Sequence, residues 1–193
     1  MKQEEKILTH NTAADLSGHC TEMTAWQMVR DLAQQTTSRT DICSVSPTTV
    51  AIAEDGTFVL TSSGEQQNRI YQAPEGALDH QSAVWSLGAT VFFVVMGCNV
   101  MNGKGGAGQH ARSKVPYMRS EMPALSELVQ QCLQYAPAQR PHLQQVLTTA
   151  EKQCQQWVQR VKQGPAFKKA QQQGRNDTPE SVAFWPEEMI GGN

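Results

Sequence analysis

Charge is scarce in this 193-residue chain. Only 18% of residues are Asp, Glu, Lys or Arg, and the net charge is −2. That excludes a histone-like or acidic-tail protein, and no bulk attraction draws the whole chain to nucleic acid or membrane. Paired cysteine motifs are missing too: Cys20, Cys43, Cys98, Cys132 and Cys154 form no C-x-x-C pair and no cluster with histidine. An odd, scattered set argues for reduced thiols rather than a disulfide framework or zinc site, and predicts a cytoplasmic protein. His10, His19, His80, His110 and His142 share no ligand spacing and read as surface or capping residues. No metal and no cofactor are expected. The most apolar stretch, Val84 to Met96, is interrupted by Ser86, Gly88 and Thr90. It is short for a membrane span and reads as a buried core helix. The charged start, Met1 to Lys6, leads into no apolar stretch, so no secretory leader is expected.

What remains is enough to build a core, with 39% hydrophobic residues. Met23, Trp26, Val29 and Ala33 recur at helical spacing and predict an amphipathic helix ending near Gln35, broken by the polar run Thr36 to Thr40. A short helix near Ala13 to Leu16 precedes it. Thr48 to Ala53, Glu54-Asp55-Gly56 and Thr57 to Thr61 read as a β-hairpin, because Gly tolerates the positive φ such a turn needs. Pro123 and Pro141 each open a later helix from within its first turn, where the missing N–H costs nothing. Gly164-Pro165 stops the last one. A polar, glutamine-rich tail follows, with one apolar cluster from Val182 to Trp185. The fold class expected is mainly α (α+β): an N-terminal extension (1–22), a helical domain with one hairpin (23–163) and a polar tail (164–193).

Three motifs then appear in order. They are Tyr71-Gln72-Ala73-Pro74-Glu75, Val84-Trp85-Ser86-Leu87-Gly88 running to Gly97, and Cys132-Leu133 followed by Pro137, Arg140 and Pro141. Together they resemble the C-terminal lobe of a eukaryotic-type protein kinase: its A-P-E motif, its central helix, and its late helix pair with an arginine. The resemblance covers about residues 24 to 150. It implies a C-lobe-like helical domain and an ion pair between Glu75 and Arg140.

The resemblance also shows what is gone. Ser44 falls where the catalytic aspartate belongs, Thr49 where the metal-binding asparagine belongs, and Ser62 replaces the aspartate of D-F-G. A serine neither accepts a proton near neutral pH nor matches a carboxylate as a magnesium ligand. Only eight residues separate Gly64 from Ala73, too few for an ordinary activation loop. The twenty or so residues before Met23 cannot supply an N-lobe with its phosphate loop and lysine. The chain most resembles the kinase non-catalytic C-lobe domain, which implies a pseudokinase that binds no ATP and acts as a cytosolic protein-interaction or scaffold module. The alternative is a divergent kinase or nucleotide-binding pseudokinase completed by another chain.

Three further features bear on partners. Gly103 to Gly108 lacks the terminal Lys-Ser/Thr of a phosphate loop and reads as a flexible loop. Between His80 and Ser120 there is no acidic residue, whereas Lys104, Arg112, Lys114 and Arg119 stand there. This segregation fits either a solvated loop or a docking surface for an acidic or phosphorylated protein partner. Phe184 and Trp185 either fold back onto the domain or anchor a partner. Neither nucleic acid nor membrane is an expected partner.

Overall fold

The computed structural model describes residues 12–39, 44–61, 68–115, 117–173 and 178. It is mainly helical, with one two-stranded antiparallel sheet. Among the described residues five α-helices carry it: α1 (Glu22–Ser38), α2 (His80–Met96), α3 (Pro123–Cys132), α4 (Leu143–Gln163) and α5 (Pro165–Gln172). The hairpin pairs β1 (Val50–Ile52) with β2 (Phe58–Leu60), in the register Val50↔Leu60, Ala51↔Val59, Ile52↔Phe58. Short 3-10 turns at Ala13–Leu16, Pro47–Thr49, Arg69–Tyr71, Gly105–Gly108 and Pro137–Gln139 join these elements.

The apolar run expected to be central is so. In α2 every residue from Ser82 to Phe92 is buried, and Trp85 is wholly enclosed. Asp79 caps its start by accepting from the Ser82 amide at 2.8 Å. Gly97 ends it in the left-handed conformation (φ 74°), donating its N–H to the Phe93 carbonyl. Both α1 and α3 pack against this axis, and Met23, Trp26, Val29 and Ala33 of α1 and Leu125, Leu128, Val129 and Cys132 of α3 are buried in the same core. The buried stripe of α4 (Leu143, Val146, Leu147, Ala150, Cys154) lies chiefly along α1.

Four local expectations need correction. Helix α1 runs on to Ser38 instead of ending near Gln35, because the Thr36 and Thr37 hydroxyls donate back to the Leu32 and Ala33 carbonyls and satisfy themselves within the helix. Pro141 is not in the first turn of α4. It precedes His142, the N-cap, whose amide donates to Gln145 Oε1 at 2.8 Å. The segment after Gly164 is not simply a polar tail: it opens with α5, whose Phe167 is buried against Val161 and Trp157. Finally, Gly103 to Gly108 is not loose. Gly105 and Gly106 are buried, and a Cβ on Gly106 would lie 2.1 Å from the Gln72 carbonyl oxygen. Only glycine lets these two backbones touch.

Among the described residues no helix is long and apolar enough to cross a membrane. Cys20, Cys98, Cys132 and Cys154 are free thiols, and burial pushes Cys20 and Cys132 up to about 12, away from thiolate chemistry.

Candidate functional site

Ser44 begins a segment pinned to the central helix: the Val45 amide donates to Ser86 Oγ at 2.9 Å, and Thr90 Oγ1 donates to the Val45 carbonyl at 3.1 Å. Thr49 is occupied within the following turn, where its hydroxyl accepts from the Ser46 amide and donates to the Ser46 carbonyl. Both side chains are half-buried, and no carboxylate stands between them in sequence. Ser62 lies outside the described residues, as do Phe184 and Trp185. Among the described residues no three His, Cys, Asp or Glu side chains gather as a metal site would require.

The expected ion pair is present. Arg140 donates from Nη1 to Glu75 Oε1 at 2.6 Å and from Nη2 to Glu75 Oε2 at 2.8 Å. Its remaining donors reach the carbonyls of Gln134, Gln81 and Tyr135 at 2.8, 3.0 and 3.0 Å. All five guanidinium N–H groups are therefore satisfied. The burial differs from expectation: the Arg140 side chain is fully enclosed, whereas that of Glu75 is 22% exposed. Burial alone would push the Glu75 carboxyl up, but hydrogen bonds from Arg140, its own backbone amide and Ser82, with the charge of Arg140, together outweigh it and hold the group below its ordinary value.

This pair fixes the 70–76 segment, on which the glycine-rich loop rests. Tyr71 helps by donating its hydroxyl to Asn99 Oδ1 at 2.7 Å and meeting Phe93 edge-on. At the other end of the loop, Gln109 is buried. It accepts from Trp85 Nε1 at 2.8 Å and donates to the Leu133 carbonyl at 2.7 Å, joining the loop to α2 and to the end of α3.

Beyond Gln109 the surface opens into a groove of about 480 Å³ between residues 109–117 and the α3–α4 connection. Tyr117 and Tyr135 line it, 77% and 43% exposed, with Val115, Leu133 and Lys114. A second concavity of about 460 Å³ adjoins it through Ser113 and Lys114 and adds Lys104 and His110. Among the described residues no carboxylate lines either one. Lys104, Arg112 and Lys114 are exposed, as a docking surface requires. Arg119 is not: it is half-buried and donates to the Gly18 carbonyl, tying its loop to the turn before α1. A wider concavity of about 960 Å³ lies near the starts of α1 and α3, but Glu22, Glu121, Lys152 and Arg160 mix both signs there among glutamines.

Tyr117 and Tyr135 were missed by the sequence reading. Neither belongs to a periodic pattern, and only their position beside the acid-free stretch could have drawn notice. No protein-family model and no curated protein sequence matches the chain.

Proposed function

We propose that this chain is a catalytically inactive module resembling a protein kinase C-lobe, which acts in the cytosol by binding an acidic or phosphorylated protein segment. The observation that carries the binding role is a pair of adjoining concavities lined by the exposed Tyr117, Tyr135, Lys104 and Lys114 and, among the described residues, by no carboxylate, with the exposed Arg112 beside them in sequence. Tyrosine and arginine are the residue types that concentrate binding energy in interfaces, and complementary charge steers the encounter. The C-lobe resemblance is supported by the Glu75–Arg140 pair, which links the A-P-E-like segment to the turn before α4 across 65 residues. The non-catalytic reading is supported by Ser44 and Thr49, whose hydroxyls offer no carboxylate for proton or metal chemistry.

Two measurements test this. Magnesium–ATP should leave the melting temperature unchanged, since a ligand at 100 times its Kd would add roughly 2.7 kcal/mol. Acidic peptides should bind more weakly in high salt and about tenfold more weakly to the Lys104→Glu/Lys114→Glu variant. Equal binding by that variant would discard the groove.

A further inference from the structure

Resting on the binding role proposed above, we infer that the concavity of about 460 Å³ holding Lys104 is a phosphoryl pocket that reads a phosphoserine or phosphothreonine in the bound segment. Its polar lining, Asn102, Lys104, His110, Ser113 and Lys114, includes no acid among the described residues. Neither lysine has a carboxylate partner among them. The Arg112 amide donates to His110 Nδ1 at 3.3 Å, which places the proton of the neutral ring on Nε2 and leaves that N–H to donate elsewhere. Ser113 Oγ accepts from the His110 amide at 2.9 Å, so its own O–H is likewise left to donate. The backbone sets the position of Lys104. Met101, Asn102 and Gly103 are all left-handed (φ 54°, 53° and 83°), and the Gly103 and Gly105 amides both donate to the Val100 carbonyl at 3.2 Å. The Lys104 stem then lies on Gly108, where a Cβ would come 2.5 Å from Lys104 Cβ. A donor positioned before its ligand arrives costs less ordering on binding.

Charge selects the ligand. Two ammonium groups match the charge of about −1.5 to −2 on a phosphomonoester, whereas a carboxylate would leave one of them unneutralised. The adjoining groove shares Ser113 and Lys114 with the pocket and takes the flanking residues along Tyr117 and Tyr135. Met101 is the one apolar side chain in the pocket's described lining, so a short phosphoserine or phosphothreonine arm suits it better than a phosphotyrosine ring. A polynucleotide needs a row of cations along its backbone. Lys114 is the one cation in the groove's described lining.

The full-length chain provides the test, with three fluorescein-labelled peptide pools whose randomised residues flank a fixed phosphoserine, glutamate or phosphotyrosine. Fluorescence polarisation should show the phosphoserine pool binding about tenfold more tightly than either of the others. Lys104→Met keeps the stem but removes a donor that lines the phosphoryl pocket and not the groove. It should weaken the phosphoserine pool about tenfold, as for one lost charge-assisted hydrogen bond, and the glutamate pool less than about threefold. Gly108→Ala, which drives a methyl into the Lys104 stem, should act in the same direction. Equal affinity for the phosphoserine and glutamate pools, or a phosphoserine affinity unmoved in both variants, would remove the phosphoryl pocket while leaving the acidic-segment groove intact. Binding of none of the pools would remove the groove as well. Tighter binding of the phosphotyrosine pool, or of a labelled oligothymidylate, would overturn the inference by assigning the pocket to a different phosphate.

Discussion

Arg140 and Glu75 meet through two parallel hydrogen bonds from opposite sides of a burial boundary, the guanidinium dry and the carboxylate partly wet. The pair is thus asymmetric. Removing Glu75 leaves an enclosed cation facing only carbonyls; removing Arg140 leaves the Gln81, Gln134 and Tyr135 carbonyls without a donor and Glu75 able to turn toward water.

Arg140→Ala should cost roughly 3 kcal/mol, the low end of the range for a broken buried pair, because Glu75 can rehydrate. Arg140→Lys should recover only part of this, since one ammonium cannot serve five acceptors in a fixed fork. Urea unfolding at constant m-value would show it. A midpoint for Arg140→Lys equal to wild type would mean the fork geometry is immaterial.

The two carboxyls Glu75 and Asp31 should respond to acid in opposite senses. Glu75 is held low, because hydrogen bonds and the charge of Arg140, with bonds from its own amide and Ser82, together outweigh burial, so its stabilisation is present above the unfolded value and lost as pH falls through the folded one. Asp31 is pushed up, chiefly by burial, against its bonds from the Phe58 amide and Arg30. Its contribution is fully present below the unfolded value and lost as pH rises through the folded one. Between about pH 6 and pH 3, the deficit of Glu75→Gln relative to wild type should shrink, and that of Asp31→Asn should grow. Melting temperatures at both pH values decide it.

Gly106→Ala should be far worse than Gly103→Ala. The first drives a methyl into the Gln72 carbonyl and Ala73 backbone; the second meets nothing within 4 Å and incurs only the strain of φ +83°. About 1 kcal/mol is expected at Gly103, and at least twice that at Gly106. Similar melting temperatures for the two variants would show that the loop lifts off freely.

Gln109→Leu should leave the Trp85 indole N–H and the Leu133 carbonyl unpaired in the core, costing about 2–4 kcal/mol. Differential scanning calorimetry can measure the loss. A variant as stable as wild type would mean that water or a rearranged neighbour serves both groups.

Periodicity was the readable layer. The faces of α1, α3 and α4 and the all-round burial of α2 follow from where Met23, Leu125 and Val146 recur, since burying an apolar stripe is the dominant favourable term. The Asp-Gly turn announced the hairpin for an equally local reason. What escaped was decided by tertiary neighbours. Nothing within Gly103 to Gly108 tells that Ile70 and Gln72 will press against it. Gln109 is one glutamine among 23 until Trp85 and Leu133 enclose it. The Glu75–Arg140 pair was legible through the kinase resemblance, whereas its uneven burial depends on which side of the pair the chain happens to cover.

The hairpin is small, yet neither of its sides is left open. Along β2, Asp31 Oδ2 accepts from the Phe58 amide at 3.1 Å, and Gln35 accepts from the Leu60 amide at 3.0 Å and donates to the Phe58 carbonyl at 2.7 Å. Along β1, Thr12 bridges to Ala51. Side chains of α1 thus imitate a third strand. An extended peptide seeking to lengthen the sheet by β-augmentation would find its backbone partners already engaged, and an aggregating strand would find no template. A captured polypeptide is therefore not expected to add a strand to this hairpin.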